Sequence, residues 1–147
     1  MIVAIPMGEN NRVYHQNPCT SPSFAMYEVK GRRDDIRYRY LETKANPWKR
    51  SDGDMLHDPV MKACECGTDV AGDIHHVSEH YVLLEAIGRC NYMIVDQYCL
   101  NTLHALKNVG IKIHKVPPFV KTAEEAINHF IIGAEIADNL QNIHPAS

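Results

Sequence analysis

No apolar run in this 147-residue chain approaches the roughly 18 residues that a membrane span requires. The opening Met1-Ile2-Val3-Ala4-Ile5-Pro6 carries no basic residue, and its apolar run is too short for a signal peptide. The expectation is a cytoplasmic protein with no membrane partner. A net positive charge is also lacking. The net charge is -3, which argues against nucleic-acid binding, because that needs a basic footprint. Walker, G-x-G-x-x-G, G-x-S-x-G and H-E-x-x-H patterns are all missing. The first strand-like run holds no carboxylate, and Asp96 is the one convincing carboxylate at a strand end. Two-metal hydrolysis needs several, so hydrolytic catalysis is discounted. Internal repeats and low-complexity segments are absent.

What is present is ordinary in bulk and unusual in detail. Hydrophobic residues make up 45% and charged residues 22%, typical of a globular chain. A chain of this length buries roughly 70% of its unfolded surface. One domain over residues 1–147 is therefore expected, without need of disulfides. Five cysteines and nine histidines stand out. An odd cysteine count in a reducing compartment points to thiols or metal ligands rather than a disulfide framework. Charge is unevenly spread: residues 30–50 hold eight of the fifteen basic residues and only three acids.

Periodicity suggests the elements. Ile2-Val3-Ala4-Ile5 reads as a buried strand stopped by Pro6. Residues 7–23 read as a loop. Phe24 to Val29, and the alternating Ile36-Arg37-Tyr38-Arg39-Tyr40, read as a hairpin around the turn at Gly31. Residues 43–75 show no period, so a long functional or mobile loop is expected there. Val77, Tyr81, Leu84 and Ile87 mark a helix face, and Tyr92 to Val95 a buried strand. Cys99 to Val109 is expected to be a helix with Leu100, Leu103 and Leu106 inward and Gly110 as its stop. Ile111 to Val116 is a further strand, with His114 expected on its wet face. Thr122-x-x-Glu125 is a capping box opening a last helix, whose stripe is Ala126, Ile127, Phe130, Ala134 and Ala137. The order β-β-β-α-β-α-β-α implies an α/β protein with one mixed five-stranded sheet and helices packed on it.

Candidate functional residues fall in three loops. The first holds His15 and Cys19; the second His57, Cys64, Cys66, His75 and His76; the third runs from Asp96 to Cys99. Loops one and three would face each other if their preceding strands pair in parallel, because ligands bind outside the carboxyl ends of such strands. Cys99 at a helix N-terminus has a physical reason to be reactive, since the helix dipole stabilises a thiolate. As an ordinary residue it would be a small buried hydrophobe. Cys64-Glu65-Cys66 suits a soft metal, although structural zinc pairs usually have two to four intervening residues. Taken alone, His15 is most simply a surface or turn histidine. Arg37 and Arg39 share one strand face and could meet an anionic ligand or an acidic partner.

Several segments together resemble the dinitrogenase iron–molybdenum cofactor-binding family, the NifX–NafY group. They are Ile2-Val3-Ala4-Ile5-Pro6 leading to His15, Ser23-Phe24-Ala25-Met26-Tyr27-Glu28-Val29, and the basic hairpin ending at Asn46-Pro47. Cys90-Asn91-Tyr92-Met93-Ile94-Val95, Leu106-Lys107-Asn108-Val109-Gly110-Ile111-Lys112-Ile113 and Thr122-Ala123-Glu124-Glu125-Ala126-Ile127-Asn128-His129-Phe130 complete the pattern. The resemblance spans nearly the whole chain outside residues 50–75. It implies a ribonuclease H-like three-layer sandwich and a non-catalytic carrier of a metal–sulfur cluster. It also implies that His15 is the cluster ligand. The chain departs from the family where Gln16 and Asn17 replace a phenylalanine and a glycine, and where Gln97-Tyr98-Cys99-Leu100-Asn101 replaces a glycine-rich loop.

The functional expectation is a carrier or assembly factor for an anionic iron–sulfur cluster with or without molybdenum, as in cofactor biosynthesis of the nitrogen-fixation kind. His15 would bind metal directly, with Cys19 and Cys99 as ligands or near neighbours. Cys64, Cys66, His75 and His76 would add ligands from a covering loop, and Arg37 and Arg39 would offset cluster charge or meet a delivery partner. A cluster donor or acceptor protein is the implied partner, and an edge strand leaves room for a homodimer. The alternative is a zinc-binding interaction module built from Cys64, Cys66, His75 and His76. A third reading is an enzyme with Cys99 as nucleophile and a nearby histidine as base.

Overall fold

The structure, a computed structural model, describes residues 1–31, 35–46, 84–85 and 87–143. Five strands, β1 (Ile2–Met7), β2 (Ser23–Lys30), β3 (Arg37–Ala45), β4 (Tyr92–Val95) and β5 (Lys112–Lys115), form one sheet in the order β3-β2-β1-β4-β5. Helix α1 (Leu100–Asn108) joins β4 to β5, and α2 (Ala123–Ile143) follows β5. Residues 84, 85 and 87, ahead of β4, are also helical. The β1–β2 and β2–β3 pairs are antiparallel, while β1–β4 and β4–β5 are parallel. Strand β2 therefore runs against the other four. No helix among the described residues is long and apolar enough to cross a membrane.

Side-chain alternation sends the residues of β1, β2 and β4 to two separate cores. On one face Ala4, Phe24, Met26, Met93 and Val95 pack with Leu84, Ile87 and Leu106. On the other, Val3, Ile5, Ala25, Tyr27, Val29 and Ile94 pack with Ala126, Ile127 and Phe130 of α2. This mixed α/β arrangement, with helices on both faces, is compatible with a three-layer sandwich. Val3, Ala4 and Ile5 are wholly buried because β1 is central and covered on both sides.

The structure corrects four details. Strand β1 does not stop at Pro6: Pro6 pairs with Phe24 and Met7 with Ser23. Pro6 lies beyond the two β1–β4 pairs, Val3 with Tyr92 and Ala4 with Met93, so its missing N–H leaves no gap in that ladder. Strand β3 continues to Ala45, so residues 43–45 are strand rather than loop. Its register shifts as Met26 faces Glu42 while Tyr27 faces Tyr40, leaving Leu41 as the extra residue of a bulge. That residue breaks the period of two and hides the continuation. The rest of the expected long loop, from residue 47 onward, lies outside the described residues.

In α1 the buried stripe is rotated from the expected one. Leu100 is 69% exposed, whereas Thr102 and Leu106 are buried. The helix ends in a Schellman arrangement: Ile111 N–H donates to Leu106 O at 2.9 Å and Gly110 N–H to Lys107 O at 3.1 Å. Gly110, at φ 80°, takes the left-handed position as expected. The capping box of α2 forms, with Glu125 N donating to Thr122 Oγ1 at 3.1 Å, though the Glu125 carboxylate accepts from Lys121 N rather than from Thr122. Finally, His114 is not on a wet face. It is half-buried against α2, stacked edge-on to Phe130.

Candidate functional site

Parallel pairing of β1 with β4 brings their carboxyl ends to one edge of the sheet. The loops leaving these ends build the site. After Met7 the chain makes a tight excursion in which Gly8 N donates to Arg12 O at 2.7 Å. Asn10 and Asn11 adopt φ of 59° and 57°, the left-handed region that asparagine tolerates. Val13 then returns to bridge Met7, and its N–H donates to Lys121 O at 2.8 Å, tying the loop to the start of α2. Tyr14 N donates to Pro6 O at 2.9 Å. His15 follows at the mouth.

Asp96 is the first residue after β4. Its Oδ2 stands 2.9 Å from His15 Nδ1, and the side chains are 30% (His15) and 8% (Asp96) exposed. A carboxylate can only accept, so Nδ1 donates, and in the neutral ring Nε2 keeps its lone pair. Among the described residues no hydrogen bond engages Nε2. A carboxylate-held histidine with its other nitrogen available is the arrangement that orients metal-ligating histidines.

Behind His15 lies a buried polar knot. Asn17, wholly buried, uses Oδ1 to accept from Cys19 N at 3.2 Å and from Thr102 Oγ1 at 3.3 Å. Thr102 Oγ1 lies 3.2 Å from Cys99 Sγ and 3.6 Å from Cys19 Sγ. A hydroxyl has one proton and two lone pairs. Its proton goes to Asn17, so its lone pairs are left for the two sulfurs. Among the described residues the buried Asn17 Nδ2 meets no acceptor. Asn46, at the end of β3, clamps the loop by donating to Cys19 O at 2.8 Å and Ser21 O at 2.7 Å. Below the knot, Pro18, Cys19, Met93 and Thr102 border a cavity of about 10 Å³. It holds one water at most.

The structure thus brings His15, Cys19 and Cys99 to one edge. Cys99 is the N-cap of α1, with no side-chain capping bond and no acid in the first turn. Arg37 and Arg39 are not brought there. They face Lys30 and Glu28 at the far end of β2 and pair with Asp35 at 3.1 Å and Glu28 at 3.2 Å. Antiparallel pairing with β2 sets the start of β3 beside the start of β1, away from the site. His57, Cys64, Cys66, His75 and His76 lie outside the described residues. Among the described residues no group of three or more His, Cys, Asp or Glu side chains could hold a metal ion.

Asn17, Thr102 and Asn46 escaped the sequence reading. One signal was available for Asn17: in Asn17-Pro18-Cys19 the asparagine oxygen accepts the amide two residues on, a turn habit of Asx residues. A scan of protein-family models and a search of curated proteins found no match to this chain.

Proposed function

We propose that this protein binds an anionic metal–sulfur cluster or its precursor, iron–sulfur with or without molybdenum, and carries or assembles it without catalysis. The observation that carries the reading is the His15–Asp96 pair, which leaves one imidazole nitrogen ready for metal at the edge where β1 and β4 end. The resemblance implied His15 as the ligand, and its carboxylate partner supports that role. The uncapped N-terminus of α1 beside Cys99 supports an anionic cargo. Cys19 and Cys99 stand behind His15 as thiols that could give up protons to a cluster. One outward histidine with thiols in reserve suits release to an acceptor protein. The mixed sheet, with β2 alone reversed, supports a ribonuclease H-like fold, and the reading keeps the carrier in the reducing cytoplasm. The Cys99 nucleophile reading draws less support, because Sγ is turned to Thr102 and no histidine contacts it among the described residues.

The test uses protein purified without oxygen, titrated with thiomolybdate or an iron–sulfur cluster and followed by visible absorption, metal analysis and acid-labile sulfide. Stoichiometric uptake that is lost in His15→Ala is expected. One tightly held zinc, without sulfide and without cluster uptake, would overturn the reading in favour of a zinc module.

A further inference from the structure

His114 on β5 and His129 on α2 aim ring nitrogens at each other, with Nε2 of His114 3.0 Å from Nδ1 of His129. The ring centroids are 5.2 Å apart. Two neighbours fix the His114 ring. Phe130 meets it edge-on, with centroids 5.2 Å apart and planes at 89°. Gly133 lies on the helix beside it, where a Cβ would stand 3.1 Å from His114 Cε1, so the bare glycine lets the ring lie against the helix. Both histidines are half-buried rather than sealed. Among the described residues neither forms an ion pair, and neither belongs to the site at His15.

We propose that His114 and His129 form a two-imidazole chelate for a borderline divalent transition ion such as Zn²⁺, Ni²⁺ or Cu²⁺, clamping the edge strand β5 onto α2. Two nitrogens bound at 2.0–2.1 Å to one ion stand about 2.9 Å apart at a right angle and about 3.4 Å at the tetrahedral angle. The observed 3.0 Å falls in that range. In the hydrogen-bonded pair one ring places its proton between the two nitrogens. Moving that proton to the far nitrogen of the same ring leaves both lone pairs for the metal, and no proton is lost. Imidazole nitrogens favour zinc, nickel and copper over magnesium or calcium. Burial and the neighbouring His129 hold the His114 pKa below its ordinary value, which keeps the ring neutral at pH 7. Glu125, one helical turn before His129, is occupied by accepting from Lys121 N at 3.3 Å. Water would fill the remaining coordination positions.

The experiment is a Zn²⁺ titration of the full chain, read by long-range ¹H–¹⁵N correlation spectra of the histidine rings. This readout separates the pair from any cysteine-rich site that also takes zinc. The expected result is a shift of His114 Nε2 and His129 Nδ1 that saturates at one equivalent and persists in His15→Ala. His114→Gln and His129→Gln, each checked for an unchanged backbone amide spectrum, should weaken binding by about tenfold or more. The zinc-dependent rise in melting temperature should be smaller in both variants than in the parent. Unmoved His114 and His129 resonances while zinc binds elsewhere would overturn the proposal, as would glutamine variants that titrate like the parent.

Discussion

Asp96 accepts the Nδ1 proton of His15 at 2.9 Å across 81 positions of sequence. The two residues are neighbours because β1 and β4 run in parallel and end together. Asp96 leaves the strand directly, so its carboxylate is set by the sheet. His15 comes from a loop that is tied down at Pro6, Lys121 and Asn46. A rigid carboxylate therefore orients a partly exposed ring, and it fixes which nitrogen faces outward.

Asp96→Asn tests that dependence. An amide can accept from Nδ1 but offers no charge to hold it, and it can also turn its NH₂ toward the ring. Cluster affinity should fall by about 10–100-fold, the usual effect of removing a partner behind a metal-bound histidine. Anaerobic absorption titration measures it. An unchanged affinity would mean that Asp96 does not orient the ligand.

Asn46→Ala should destabilise the fold by about 1–3 kcal/mol, because it removes the two side-chain hydrogen bonds to Cys19 O and Ser21 O. The urea midpoint should drop with little change in slope. Cluster uptake should weaken as well, since the same clamp shapes the loop between His15 and β2. A loss below 0.5 kcal/mol, an order-of-magnitude threshold, would show that water or a neighbour takes over the two acceptors.

Cys90 should be the slow thiol. Burial, the largest cause, pushes its pKa up to about 11, and its Sγ donates to Tyr92 O at 2.9 Å. At pH 8 its thiolate fraction is then about a hundredfold below that of a thiol near 9. Alkylation with iodoacetamide, followed by mass spectrometry, should label Cys90 far more slowly in the native protein than in urea. Equal rates in the two states would contradict its placement.

Stability should fall on mild acidification. Burial first, and then His129, lower the His114 pKa from the ordinary 6.5. As pH falls through 6.5 the unfolded chain takes up this proton before the native state does, so folding loses free energy until the native pKa is passed. The contribution is fully present above that window. Urea midpoints at pH 7.5 and pH 5.5 should differ less in His114→Gln than in the parent. An identical difference in both would assign the pH dependence to other groups.

Much of the frame was legible in the residues. The apolar run at Val3, Ala4 and Ile5 announces a central strand, and Gly110 and Thr122 mark helix ends by capping chemistry that depends on few neighbours. The meeting of His15 with the third loop followed from topology alone. The stripe of α1 was misread because Leu100 looks like core, whereas the inward face is set by Thr102 reaching Asn17. Burial of Asn17 and Asn46 was invisible, since an asparagine beside a proline reads as a turn whether or not another segment covers it. His114 was misplaced because a four-residue edge strand has too few alternations to reveal which face a helix will cover. Arg37 and Arg39 looked like site residues by charge, but register places them at the other end of the sheet.

The central claim is that His15 binds the metal of the cargo. The most direct measurement is pulsed electron paramagnetic resonance on ¹⁵N-histidine-labelled protein carrying a paramagnetic reduced cluster. The account predicts a nitrogen coupling of the size given by a directly bound imidazole in the parent, absent in His15→Ala together with most of the cluster. Full cluster loading in His15→Ala, with no histidine nitrogen coupling in the parent, would contradict it.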